Sequence, residues 1–235
     1  MLSPYRFHGS RPLRVVVVHG GPGAAGDLGD LADVLAAKRG VLEPMQTATT
    51  IGGQVEELRG AIDSQTEPPV HLIGHSWGAW LACLLTARYP AYVRKLILVG
   101  SGPFEAKYVA HLSATRARRR ATNMDTDIFA PLESAPDPGP LSHIPVPGML
   151  EAIWPAASEL RATGELLRIV ARIRCPVVAI HGDYDPHPAD GVREPLTQVL
   201  IDFRMIVLER CGHSPWRERY AADDFYAVIE RELVN

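Results

Sequence analysis

The stretch Val70-His71-Leu72-Ile73-Gly74-His75-Ser76-Trp77-Gly78-Ala79 decides how the rest of the chain is read. Val70 to Ile73 is a short apolar run of the kind that forms a buried strand. After Gly78, apolar residues return at Leu81, Leu84 and Leu85, the spacing of one helix face. Ser76 stands at the apex between them. A strand-to-helix turn this tight has no room for side chains two positions either side of its apex, and glycine occupies both places, Gly74 and Gly78. Such a G-x-S-x-G turn holds a hydroxyl proud of the sheet edge, and the N–H of Trp77 points, at the opening of the helix, to where an oxyanion would form. The competing reading is a glycine-flanked turn with an incidental serine, and the remainder of the chain has to decide between the two.

At 235 residues the chain fits one α/β domain with room for an insertion. Hydrophobic residues make up 46% and charged residues 22%, the balance of an ordinary globular protein. A formal net charge of -3 argues against a polyanion-binding surface, so nucleic acid is not an expected partner. Cys83, Cys175 and Cys211 are odd in number and lack C-x-x-C spacing, which indicates neither a disulfide framework nor a zinc site and suits a reducing compartment. No H-E-x-x-H or clustered ligand spacing supports a metal. The apolar run Val15 to Val18 is too short for a signal sequence or a membrane span, so the expected location is cytoplasmic, with no membrane partner.

Along the chain, Leu13 to Val18 predicts a buried strand that runs into His19-Gly20-Gly21-Pro22-Gly23, where glycines let the backbone approach a ligand. A helix is expected over Asp27 to Leu35 with Asp27 available as its cap, then a strand over Gly40 to Gln46 placed near an edge by Pro44. A helix over Ile51 to Ile62, the Ser76 strand and helix, and a strand over Lys95 to Val99 follow. This alternation predicts a mostly parallel sheet of about six strands with helices on both faces. From Phe104 to Arg172 the pattern breaks into a basic helical stretch, Tyr108 to Ala121, a proline-rich passage, 131–147, and a helix from Trp154 to Ile173. It reads as a short helical lid, giving a core of 1–103 and 173–235 with the lid at 104–172, inserted before the last two strands. Those strands are Pro176 to His181 and Phe203 to Leu208, separated by a helix around Val192 to Leu200. Ser214-Pro215 is expected to open a closing helix that buries Ala221, Phe225, Val228 and Ile229.

A serine hydroxyl at neutral pH needs a base, and the base needs a group to fix its tautomer. In a parallel sheet the carboxyl ends of the strands share one edge. The loop Gly182-Asp183-Tyr184-Asp185-Pro186 and the loop Cys211-Gly212-His213 follow the last two strands, so an aspartate (Asp183 or Asp185) and His213 can meet Ser76 there. In these segments the sequence resembles the α/β-hydrolase fold superfamily from Leu13 onward. His19-Gly20-Gly21-Pro22-Gly23 is similar to the HGGPG signature of the proline iminopeptidase branch, and Gly74-His75-Ser76-Trp77-Gly78 looks more like the general esterase and C–C-hydrolase turn. The resemblance implies Ser76 as nucleophile, His213 as base, Asp185 as orienting acid, and the N–H groups of Gly21 and Trp77 as oxyanion hole. It also implies that the amino-terminal strands of the fold are reduced here.

The expectation is a cofactor-free serine hydrolase acting on a small ester or related acyl compound. An iminopeptidase-like aminopeptidase and a non-catalytic ligand-binding protein on the same scaffold are the alternatives. Met149, Trp154 and Trp216 are expected to line the substrate pocket. His19 should brace the oxyanion loop, whereas His75, His181 and His187 are assigned to packing or loop hydrogen bonds. Arg116, Arg118, Arg119 and Arg120 read either as an anion clamp or as a solvated face. Equal numbers of basic and acidic residues across 104–172 favour the solvated face.

Overall fold

The computed structural model describes residues 4–121 and 144–234. Strands Tyr5–His8 (β1) and Leu13–Val18 (β2) lead to a two-residue strand Ala24–Ala25 (β3), helix Gly29–Ala36 (α1) and strand Gly40–Pro44 (β4). Helix Ile51–Gln65 (α2), strand Val70–His75 (β5), helix Trp77–Arg88 (α3) and strand Val93–Val99 (β6) follow. Next come helix Val109–Ala121 (α4), the two-residue strand Ile144–Pro145 (β7), and helices Met149–Ala162 (α5) and Glu165–Val170 (α6). The chain closes through strand Val177–Gly182 (β8), helix Asp190–Val199 (α7), strand Phe203–Leu208 (β9) and helix Ala222–Val234 (α8).

Seven strands form one sheet in the order β1-β4-β2-β5-β6-β8-β9, and every neighbouring pair is parallel except β1 with β4. The six expected parallel strands are all present. The seventh, β1, has one exposed and three half-buried residues, so it carries no apolar run to announce it. It covers the flank of β4, which is fully buried and stands one strand in from the edge, near which Pro44 placed it.

Alternation along each strand builds two cores. Val16, Val18, Leu72, Leu96, Leu98 and Ala179 pack on one face with residues of α2 and α3, whereas Val15, Val17, Ile73, Ile97, Val178 and Ile180 pack on the other with Leu31 and Leu35 of α1 and Phe225 of α8. Helix α3 is buried along ten of its twelve residues, because other helices cover it on the side away from the sheet.

The chain leaves β2 for β4 on one side and returns through α2 to β5 on the other. The order therefore reverses between β2 and β5, and the crevice outside their carboxyl ends lies between the loop after Val18 and the turn at Ser76. The glycines at that turn are dictated by backbone. A Cβ on Gly74 would lie 2.3 Å from the Gly78 carbonyl oxygen, and one on Gly78 only 2.1 Å from that of Val18.

Three expectations are corrected. Asp27 does not cap α1, whose cap position is Leu28 with no side-chain bond; its carboxylate accepts from Arg217 instead. The helix expected over Trp154 to Ile173 is two helices, because Gly164 takes a left-handed conformation (φ +75°) between them. Ser214-Pro215 opens a single 3-10 turn, Pro215–Arg217, and the closing helix starts at Ala222 with the expected buried face. Of the proline-rich passage, 131–143 lies outside the described residues. No helix among the described residues is long and apolar enough to cross a membrane.

Gly78→Ala should therefore lower stability by at least about 1–3 kcal/mol through overpacking against backbone that cannot yield. Gly60→Ala, in the interior of α2 with nothing within 4 Å of the added carbon, should raise it by about 0.5–1 kcal/mol. Urea unfolding midpoints of the two variants check both signs.

Candidate active site

Ser76 takes φ +53° and ψ -115°, a conformation that L residues seldom adopt, and its N–H donates to the Val99 carbonyl at 2.9 Å. The bond ties the turn to the end of β6. The next residue, Gly100, also has positive φ, and a Cβ there would meet the His213 carbonyl at 2.7 Å and its imidazole at 3.2 Å. The serine backbone and the His213 ring are thus docked on consecutive residues, Val99 and Gly100. Gly20 lies on the other side, where an added Cβ would sit 3.2 Å from the Ser76 Cβ.

His213 is held from several directions. Its Nδ1 lies 2.8 Å from Asp185 Oδ2, and both side chains are almost wholly buried. His75 Nε2 donates to the His213 carbonyl at 3.1 Å, and the rings of His75 and His187 each lie 4.7 Å from that of His213. Around the loop, Asp183 accepts the Cys211 N–H at 3.1 Å and buried Glu218 accepts the Gly212 N–H at 3.0 Å. Asp183 is therefore engaged with the backbone of the His213 loop, and Asp185 is the aspartate bonded to the imidazole.

Asp185 carries three histidines. Its Oδ1 accepts from the His187 ring at 2.8 Å and from the His187 backbone N–H at 2.9 Å, and His181 Nε2 lies 3.6 Å from Oδ2 while donating to the His187 carbonyl. Burial pushes the Asp185 carboxyl upward, but His213, His187 and His181 outweigh it and hold the group well below the usual carboxylate range. Burial also holds His75 well below its ordinary value, and His187 down to about 4 against the pull of Asp185. Asp185, His187 and His213 have the composition of a divalent-metal site. Each carboxylate oxygen, however, shares a proton with an imidazole nitrogen at 2.8 Å.

The loop expected to supply the oxyanion hole has Gly21 at φ +108°, and a Cβ there would lie 2.6 Å from the Gly23 nitrogen. His19 braces it as expected: its Nε2 accepts the Gln46 N–H at 3.3 Å, which leaves Nδ1 to donate to the Gly20 carbonyl at 2.8 Å. Trp77 is fixed by Gln54, a residue the sequence did not single out. The indole N–H donates to Gln54 Oε1 at 2.9 Å, and Gln54 Nε2 donates to the Ala48 carbonyl at 3.0 Å and contacts Met149 Sδ at 3.3 Å. An amphipathic-helix pattern gives no hint of such a bridge.

The three expected pocket residues separate. Trp154, 40% exposed, stacks on Trp80 with Arg161 over both rings. Met149 is buried against Gly23. Trp216 is a correction: it packs between His75 and Phe225 in the core layer, since a large aromatic buries as much area behind a site as in front of it. The solvated-face reading of the arginines is corrected in part as well. Arg116 reaches His187 Nε2 at 3.3 Å, and Arg119 donates to the Tyr184 carbonyl at 2.6 Å with its guanidinium 3.7 Å over the Tyr184 ring. Arg118 is exposed. The side chain of Arg120 is outside the described residues.

Comparison with known proteins agrees with this architecture. The profile of a family described as "Alpha/beta hydrolase family" matches residues 7–227. A pimeloyl-[acyl-carrier protein] methyl ester esterase of Neisseria meningitidis is 24% identical over 205 residues, which cover 77% of this chain and 75% of the relative. Among solved structures, VinJ superposes with a TM-score of 0.72 at 18% identity, covering 97% of this chain and 93% of that one. An esterase from Thermogutta terrifontis gives 0.71 at 17% (97% and 92%), and a proline iminopeptidase of Mycobacterium smegmatis 0.68 at 18% (97% and 93%).

His75 and His187 are neutral when folded and protonate near pH 6.5 when unfolded, so the unfolded state binds more protons below that pH. Stability should fall as pH drops from 6.5 toward 4, approaching roughly 2–3 kcal/mol per pH unit when both contribute. Denaturant unfolding at a series of pH values, repeated with His187→Gln to remove one of the two protons, checks the slope.

Proposed function

Because this chain belongs to the alpha/beta hydrolase family, we propose that it is a serine hydrolase that cleaves a small, fairly apolar ester or related acyl compound through an acyl-enzyme. One observation carries the reading: the buried His213 ring donates from Nδ1 to Asp185 at 2.8 Å and packs on Gly100, the residue after the Val99 carbonyl that accepts the N–H of strained Ser76. That bond fixes the proton on Nδ1 and leaves Nε2, itself buried, as the proton acceptor. Ser76 Oγ attacks the acyl carbonyl carbon and its proton passes to His213 Nε2, while Asp185 steadies the imidazolium. The carbonyl oxygen becomes an oxyanion received by the N–H groups of Gly21 and Trp77. Collapse expels the alcohol, which takes the proton from His213. Water then attacks the acyl-serine by the same route in reverse and frees the acid. No cofactor takes part.

Segment 104–172 acts in this reading as the lid over a core of 1–103 and 173–235. Met149 seats it against the oxyanion loop, and the Trp80–Trp154 stack gives it an aromatic wall. Relatives and neighbours named as esterases and lipases support an ester substrate. The iminopeptidase alternative draws on His19-Gly20-Gly21-Pro22-Gly23 and on the Mycobacterium smegmatis neighbour, and needs a carboxylate to receive a free amino terminus. Of the candidate carboxylates in the lid, Glu151 and Glu159 are exposed and Glu133 and Asp137 lie outside the described residues, while Glu105 and Glu165 are paired with Lys107 and Arg168.

Ser76→Ala should cut ester turnover by about a million-fold if the three residues act as a unit, and adding His213→Ala to it should cost little more. A panel of aryl esters of graded acyl length, a methyl ester of a carrier-bound acyl chain and proline arylamides reads the substrate class. Short to medium acyl esters are expected to turn over fastest. Preference for the arylamides would move the assignment to the aminopeptidase, and near-normal ester hydrolysis by Ser76→Ala would reject the mechanism.

A further inference from the structure

His187 carries a buried imidazole that the proposed reaction leaves without a part, yet its ring and its backbone N–H each donate a hydrogen bond to the orienting carboxylate. An ionised carboxylate only accepts, so the His187 nitrogen facing Asp185 Oδ1 must carry the proton. The neutral ring then presents a lone pair at Nε2, and the group 3.3 Å away is the guanidinium of Arg116, which only donates. The tautomer is therefore consistent at both ends, and donors run in one direction from Arg116 to His187 to Asp185. One helical turn on, Arg119 grips the carbonyl and ring of Tyr184, so α4 is fastened to the Asp185 loop at two points.

We propose that His187 is a positioning residue for Asp185 and that Arg116 completes it, so that the Arg116–His187 contact sets how strongly Asp185 supports the protonated form of His213. This rests on the Ser76, His213 and Asp185 reading above. Donors on Oδ1 draw negative charge away from Oδ2, and the Arg116 cation behind the ring reinforces the effect. Asp185 thereby becomes a weaker partner for an imidazolium. The same two bonds keep the carboxylate from rotating off His213. The other groups around the pair are His75 from β5, His181 from β8, and Asp183 and Glu218, which accept backbone N–H groups of the His213 loop. Arg217 stands beyond His75, bonded to Asp27 and Asp30. None of these links α4 to Asp185.

The test is the pH dependence of kcat/KM for a p-nitrophenyl ester, measured on the intact chain, His187→Gln, Arg116→Gln, their double variant, Arg119→Gln and Ser76→Ala. His187→Gln and Arg116→Gln should each move the acid limb upward by roughly half a unit to one unit and lower kcat by about tenfold, with KM changed by less than about threefold. The double variant should match His187→Gln alone, because Arg116 acts through the ring. Arg119→Gln should lose thermal stability without moving the limb, which separates loss of docking from loss of the relay. An unmoved acid limb in folded Arg116→Gln, or effects of the two substitutions that add independently, would overturn the inference. If Ser76→Ala is inactive and the limb does not move, only this inference falls; if Ser76→Ala retains turnover, the parent mechanism falls with it.

Discussion

The structure depends on a close approach of backbone to backbone, where the first turn of α3 meets the end of β2. The Gly78 α-carbon stands against the carbonyls of Val18 and His19, with no room for even one more carbon. That approach brings the β2 loop and the Ser76 turn into contact across the reversal in strand order. It also forces Ser76 into a left-handed conformation, at a cost on the order of 1–3 kcal/mol that the burial of α3 has to offset. Loosened at this point, the loop after β2, the Ser76 hydroxyl and the Trp77 N–H would lose their common reference.

Around this rigid centre the described part of the segment between β6 and β8 touches both the loop after β2 and the loop after β8. On one side Val146 donates to the Gly23 carbonyl and Met149 fills the space beside Gly23, while Gln54 ties Met149 to the Trp77 indole. On the other, Arg116 and Arg119 bind the loop that carries Asp185. The helices between β6 and β8 are consequently coupled to both the loop after β2 and the loop that carries Asp185. A cover resting only on apolar side chains could shift without either loop registering it.

Much of this was legible in the chain because period and punctuation carry it. Six parallel strands, the G-x-S-x-G turn and the convergence of Asp185 and His213 on one edge follow from apolar runs and from loops at equivalent strand ends. The edge strand Tyr5–His8 was not, since an edge strand with one exposed and three half-buried residues has no pattern to read. Nor were the partners of the site. His75 and Gly100 position His213, and Gln54 positions Trp77, through contacts between residues 23 to 138 positions apart in sequence. The reading of Trp216 failed for a related reason: residue type reports how much area a side chain buries but not on which side of His75 it lies. The arginine run was judged on charge balance alone, which cannot register that Arg116 faces His187 and that Arg119 faces Tyr184.

The central claim is that Ser76, set by that backbone approach and served by His213 and Asp185, is a nucleophile. The most direct measurement is peptide mapping by mass spectrometry after the folded protein reacts with a fluorophosphonate. The account predicts one stoichiometric adduct, on Ser76, absent when the protein is unfolded beforehand and slowed at least a thousand-fold by His213→Ala, on the order of the general-base contribution. An unmodified Ser76 in folded protein, or labelling indifferent to His213, would contradict it.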